Sequence, residues 1–231
     1  LASAASFKVI DFFHGFDSLF LQRKSFLNKP VINLRMKFNT KTIHGGQSPD
    51  KAYGSVMPPI YQTSTYAQTT PGGHKGYEYS RTHNPTRDAL EKSFASIENG
   101  HYGLAFGSGL AAIDAVVKLL QPGDEVVSTN DLYGGTYRLF TKVFEKFHIK
   151  FHFIGMENAD QIEQHITPKT KLIWVESPTN PMLNIIDIKA VSAIAKKHGI
   201  LLAVDNTFAT PYLQQPLDLG ADIVMHSATK Y

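Results

Sequence analysis

The sequence predicts an α/β fold of three layers, α/β/α, around a mostly parallel sheet. From about residue 88 onward, short apolar runs alternate with helical stretches, which is the pattern of strands joined by crossover helices. The runs are also apolar throughout: Ile200-Leu201-Leu202-Ala203-Val204 has no polar face, so both sides of that strand are covered.

In chain order, the first regular helix is expected over Arg87–Ile97, with Leu90, Phe94 and Ile97 on one face. Leu104–Phe106 reads as a short strand. Gly107-Ser108-Gly109 then opens a helix over Leu110–Leu120, which Gln121-Pro122-Gly123 ends. Strands follow at Glu125–Ser128, Lys150–Ile154, Lys171–Val175, Ile200–Val204 and Ile223–His226. Helices between them are expected at Thr136–Phe147, Ala159–His165 and Asp187–His198, the last stopped by Gly199. Residues 36–90 are rich in turns, with Gly45-Gly46, Pro58-Pro59, Pro71-Gly72-Gly73 and Asn84-Pro85, and read as an arm rather than a packed domain. Residues 1–35 are Phe-rich, lack a period and precede the first Met, Met36. They are expected to be a non-native or upstream leader. The chain thus divides into a leader (1–35), an arm (36–90) and a larger domain (91–231).

Composition narrows the function classes. At 231 residues and 42% hydrophobic content the chain can bury a conventional core. The formal net charge of +3 is too small and too evenly spread for a nucleic-acid footprint. No apolar run approaches the ~18 residues of a membrane span. The absence of cysteine removes disulfides, thiolate metal sites and a Cys nucleophile, and suits a reducing compartment, so a cytoplasmic location is expected.

In an open α/β sheet, ligands bind beyond the carboxyl ends of the strands. The segments there are Gly107-Ser108-Gly109-Leu110, Asp131-Leu132-Tyr133-Gly134-Gly135, Glu176-Ser177-Pro178-Thr179-Asn180-Pro181, Asp205-Asn206-Thr207 and Ser227-Ala228-Thr229-Lys230. Neither a GxxxxGK[ST] loop nor a dinucleotide fingerprint occurs, and the 10 histidines lack a zinc spacing, so no metal site is expected. A lysine after one strand, an aspartate after another and an open helix N-terminus suit pyridoxal 5′-phosphate. That cofactor needs an amine for its aldehyde, an acid for its ring nitrogen and an anion cradle.

Four blocks then resemble the cystathionine γ-synthase/γ-lyase family, fold-type I pyridoxal-phosphate enzymes of trans-sulfuration. They are YEYSRTHNPT (77–86), NDLYGGTYRLF (130–140), ESPTNP (176–181) and VDNTFATPYLQQPLDLGADIVMHSATKY (204–231), within a similarity running over about 36–231. The resemblance implies that Lys230 is the Schiff-base lysine and moves protons among the substrate's Cα, Cβ and Cγ. Asp205 would pair with the pyridinium nitrogen. Gly109 and Leu110 would give backbone donors to the phosphate, and Ser227 and Thr229 hydroxyl donors. Tyr133 would stack on the ring and assist proton transfer. Tyr79 and Arg81 would reach the phosphate of a neighbouring subunit, which implies a homodimer or homotetramer with shared active sites. Asn180 would lie near the cofactor O3′ and the substrate carboxylate. Ser177-Pro178 and Asn180-Pro181 are candidate cis peptides.

The substrate implied is a small amino acid. Methionine γ-lyases commonly carry a Cys in the segment matching Tyr133-Gly134-Gly135, and this chain has none. Arg138 resembles the pattern of cystathionine γ-synthases and γ-lyases, so cystathionine or an activated homoserine is favoured, with Arg138, Tyr79 and Asn180 as substrate contacts. Elimination and replacement at Cγ share all these residues, and the sequence does not choose between them. Other fold-type I enzymes, namely a cystathionine β-lyase, a methionine γ-lyase or an aminotransferase, stay open as alternatives, as does a non-catalytic cofactor-binding fragment. Family members continue beyond the lysine into a C-terminal domain whose Arg clamps the substrate carboxylate. This chain is therefore expected to be a fragment, poorly stable and without turnover alone.

Overall fold

The computed structural model describes residues 36–231, so the expected leader lies outside the described residues. Residues 37–231 form one compact unit built on five parallel strands in the order β2-β1-β3-β4-β5. The strands are β1 Glu125–Thr129, β2 Lys150–Ile154, β3 Thr170–Glu176, β4 Leu201–Asp205 and β5 Ile223–Met225. Each matches a strand expected from the apolar runs, within a residue or so at either end.

The helices are α1 Phe38–His44, α2 Pro85–Ile97, α3 Gly109–Val117, α4 Gly134–Lys142, α5 Asp160–Glu163, α6 Ile188–His198 and α7 Thr210–Leu213. Three of the longer ones, α2, α3 and α6, start where a side chain satisfies an open backbone donor of the first turn. Asn84 caps α2, accepting from the Thr86 N–H at 2.8 Å, with Pro85 in the first turn where its missing donor costs nothing. Ser108 caps α3 and Asp187 caps α6 in the same way. Gly199 ends α6 at φ +67°.

Alternation along the strands separates two cores. Val126, Leu172, Trp174 and Ala203 pack with Ile113 and Val117 of α3 and Phe140 of α4. Val127, Ile173, Val175, Leu202 and Val204 pack with Ile188, Val191 and Ala195 of α6. The sheet is therefore covered on both faces, which is the three-layer arrangement the sequence predicts. Phe140 is at the centre of its core, edge-on to Trp174 at 5.7 Å and stacked on Phe151 at 4.4 Å.

Helix α7 is not among the expected elements and α5 is shorter than expected; three further departures have a physical reason. Leu104–Phe106 has no regular structure and pairs with no strand among the described residues. The Ala105 N–H goes instead to the Glu91 carboxylate of α2 at 3.0 Å, and a Cβ on Gly103 would sit 2.1 Å from the Glu91 carbonyl oxygen. Close packing on a helix has replaced a ladder. The helix expected over Thr136–Phe147 breaks at Val143 into a 3-10 turn, Phe144–Phe147, closed by His148 at φ +63°. The arm, read as turns only, contains α1, which has no capping side chain and buries none of its residues, so its sequence lacks the usual helix signals.

Truncating Phe140 to Ala should cost about 3–5 kcal/mol in equilibrium unfolding, since a fully buried aromatic leaves a cavity. Tyr53→Ala, at a side chain 96% exposed, should stay within about 0.5 kcal/mol. Equal costs at the two positions would contradict the assigned core.

Candidate functional site

Parallel strands bring their carboxyl ends to one edge, and the order β2-β1-β3 reverses direction between β1 and β3, where such sheets form a crevice. The five sequence-predicted segments meet along this edge. Asp205 ends β4 and is buried. Its Oδ1 accepts both the Thr207 N–H at 3.0 Å and the Thr207 O–H at 2.6 Å. Among the described residues its Oδ2 accepts no hydrogen bond. The Thr207 hydroxyl oxygen in turn accepts the Ser227 N–H at 2.9 Å. One threonine thus ties the end of β4 to the turn after β5, Ala228–Lys230. Lys230 is exposed at the end of that turn, and the Ser227 and Thr229 hydroxyls lie 3.1 Å apart.

Gly109 opens α3 directly against Ser227. A Cβ there would lie 2.8 Å from both side-chain atoms of Ser227, so only a backbone without side chain fits so close. Ser108 caps α3, and Leu110 is 40% exposed at the same helix end. The positive end of a helix therefore faces two hydroxyls.

Tyr133 precedes α4 with its ring against Gly135. Its N–H donates to Glu176 Oε2 at 2.8 Å. Glu176 ends β3 and pairs in register with Asp205, so two buried carboxyls stand side by side. Burial, the adjacent Asp205 charge and then Asp131 push the Glu176 carboxyl up to about 8, against one opposing bond from Tyr133. Asp205 is also pushed up, mainly by burial, with the Thr207 bonds and the His226 charge opposing. The edge thus favours protonated acids unless a cation arrives.

Asn180 is half-buried in the loop after β3, where Ser177-Pro178 and Asn180-Pro181 are both cis, as the motif suggested. Asp131 holds this loop by accepting from the Thr179 hydroxyl and the Met182 N–H. Arg138 is exposed on α4, with its guanidinium folded back toward Gly134. Tyr79 and Arg81 stand apart. They lie in the arm, where Tyr79 bridges Thr65 and the Arg81 guanidinium covers the Tyr79 ring at 4.9 Å. Among the described residues no hydrogen bond, ion pair or ring contact joins either to the strand-end cluster.

The sequence places Glu176, Asp131, Asn206 and Thr207 in strand-end segments without pointing to a role for any of them. It gives no sign of Glu98, and it marks His226 only as the end of a strand. Glu98 at the end of α2 meets His226 after β5, and nothing in the local sequence of either signals the pair.

The model of the family described as Cys/Met metabolism PLP-dependent enzyme matches residues 39–231. The chain is 56% identical over 196 residues to a cystathionine gamma-lyase of Bacillus subtilis, covering 85% of this chain and 52% of that protein. It is 51% identical over 200 residues to a cystathionine beta-lyase of Coxiella burnetii, covering 86% and 52%. A crystal structure of metB from Corynebacterium glutamicum superposes with a TM-score of 0.83 at 49% identity, covering 85% of this chain and 51% of that one. The chain spans about half the length of these relatives.

A carboxyl titrating near 8 in the folded protein and at 4.5 when unfolded binds more protons folded between those values, so its contribution to stability falls as pH rises through that window. Glu176→Gln keeps an acceptor for Tyr133 and removes this loss. Without added ligand, urea unfolding should show the variant gaining on the parent steadily from about pH 4.5 to 8. Parallel curves for the two proteins would contradict the assignment.

Proposed function

The chain belongs to the Cys/Met metabolism PLP-dependent enzyme family, and we propose that the protein cleaves or exchanges the γ-substituent of cystathionine or an activated homoserine in the cytoplasm. This reading rests on one observation: Asp205 and the Lys230 turn, from two adjacent strands, are joined through Thr207 at one sheet edge.

The residues present fit pyridoxal phosphate. A buried acid with one oxygen open is what a cationic ring nitrogen would pair with. The space kept by Gly109 against Ser227, at the N-terminus of α3, suits a phosphate. Lys230 Nζ would hold the aldehyde carbon and Asp205 the ring nitrogen. Gly109, Leu110, Ser227 and Thr229 would hold the phosphate, Tyr133 would cover the ring face, and Asn180 would lie beside it. Bound there, the cofactor supplies an electron sink for negative charge at the substrate Cα.

The chain's own residues do the rest. The Lys230 amine would take the substrate Cα proton and carry protons to and from Cβ and Cγ. Tyr133 would assist this proton transfer. Asp205 would favour a proton on the ring nitrogen. Arg138, Asn180 and Tyr79 orient the substrate carboxylate and side chain. Tyr79 and Arg81, remote from the edge within one copy, would serve a neighbouring copy, which makes the working unit a homodimer or homotetramer.

Relatives named gamma-lyase, beta-lyase and probable gamma-synthase lie at similar identities, 56%, 51% and 50%. A β-elimination on cystathionine is therefore the second reading. With the full-length protein and cystathionine, cleavage on the γ side yields cysteine, 2-oxobutanoate and ammonia. Cleavage on the β side yields homocysteine, pyruvate and ammonia. O-acyl-homoserine with cysteine tests replacement.

Borohydride reduction after incubation with pyridoxal phosphate should fix the label on Lys230, and Lys230→Ala should abolish both label and turnover. A label on another lysine would refute the assignment. Gly109→Ala should weaken cofactor binding by about tenfold, roughly 1.4 kcal/mol, because Ser227 must move. Unchanged affinity would remove the phosphate from this position.

A further inference from the structure

Next to the strand-end cluster lies a second polar cluster that the proposed chemistry does not use. Glu98, just past α2, and His226, just past β5, are bonded Oε1 to Nε2, with side chains only 4% and 6% exposed. His226 Nδ1 lies 2.6 Å from the Tyr231 hydroxyl, which also donates to the Thr207 carbonyl at 3.3 Å. Asn206, fully buried between Asp205 and Thr207, donates to Glu98 Oε1 at 3.4 Å and to the Gln214 carbonyl at 2.8 Å. These contacts close a ring that includes Thr207, the residue that already bonds Asp205 and the Ser227 N–H.

Resting on the cofactor reading above, we infer that Glu98 and His226 are positioning residues that hold the Lys230 turn and the Asp205 carboxyl in working register. Asp205 and Lys230 belong to different strands, and the turn bearing Lys230 is short and exposed. Thr207 hydrogen-bonds both segments at the near end of that turn. The far end is held where Tyr231 meets His226 and the Thr207 carbonyl. His226 is itself held by Glu98, a carboxylate 128 residues away in sequence at the end of α2. The helix layer thereby braces the turn against the sheet edge.

The electrostatics agree. The groups facing the cluster are Glu98 from the end of α2, Asp205 from β4 and Tyr231 from the final turn, with Glu176 of β3 on the far side of Asp205. Burial, with the Asp205 and Glu98 charges, pushes the Tyr231 phenol up to about 12, so it stays a hydrogen-bond donor at neutral pH. The His226 charge favours the ionised form of Asp205.

The test uses the full-length protein with pyridoxal phosphate and three variants, His226→Phe, Glu98→Gln and Tyr231→Phe. Three quantities are read: the affinity of the cofactor-free protein for pyridoxal phosphate, the pH midpoint of the lysine-bound cofactor's absorption band, and kcat against KM. His226→Phe should lower affinity by about tenfold and move the midpoint up by about half a pH unit or more, because losing the imidazole charge and weakening Asp205 ionisation both leave the lysine-bound nitrogen more basic. Glu98→Gln and Tyr231→Phe should lower kcat by about tenfold with KM within about threefold, since a displaced amine hurts the proton transfer more than binding. Tyr231 is 54% exposed, so its variant keeps the inference falsifiable if a change at the buried pair prevents folding. Folded variants that match the parent in affinity, midpoint and kcat overturn the positioning role, even if their melting temperatures fall. Absence of the absorption band in the unaltered protein overturns the cofactor reading instead.

Discussion

Two carboxyl groups end adjacent parallel strands in register, Glu176 on β3 and Asp205 on β4, and both are buried. Removing a carboxylate from water is costly unless hydrogen bonds or a cation offset the loss. The edge meets that constraint unevenly. Glu176 receives one backbone N–H, from Tyr133, and is pushed far up. Asp205 receives two donors from Thr207 and the field of His226, which partly oppose the effect of burial. Both carboxyls are raised by burial, so the rest of the site is arranged around an edge that a cation would complete.

That support comes from segments far apart in the chain. Thr207 touches both Asp205 and the turn carrying Lys230, and Glu98 reaches His226 from the end of α2. A rigid three-layer core makes such contacts reproducible, because Val204 and Met225, next to the polar positions, are packed into it. The loop after β3 is held separately, by Asp131 through Thr179 and Met182. Each functional segment therefore has its own fastening to the sheet edge, which is how side chains remote in sequence keep a common geometry.

The arm is different. Tyr79 and Arg81 pack on one another, outside the strand-end cluster, and the arm exposes Tyr53, Val56, Met57 and Ile60. Exposed apolar residues on one segment are what a contact face would use, which supports the proposed service of these residues to a neighbouring copy.

Local pattern was enough to read the layers, the strand positions and the strand-end segments, while the roles proposed for residues there rest on the family resemblance. Buried parallel strands read as mostly apolar runs, the longer helices often carry a capping side chain, and residues following such strands reach one edge, so the positions of Asp205, Tyr133, Ser227 and Lys230 were legible from pattern and motif. Three apolar residues at Leu104–Phe106 misled because a strand is defined by a partner, and Glu91 took the hydrogen bond that a ladder would have used. That Glu98 meets His226, that Glu176 stands beside Asp205 and that Thr207 links two strands became visible with the folded chain. Those contacts depend on distance and burial between segments remote along the chain, and no local periodicity encodes either.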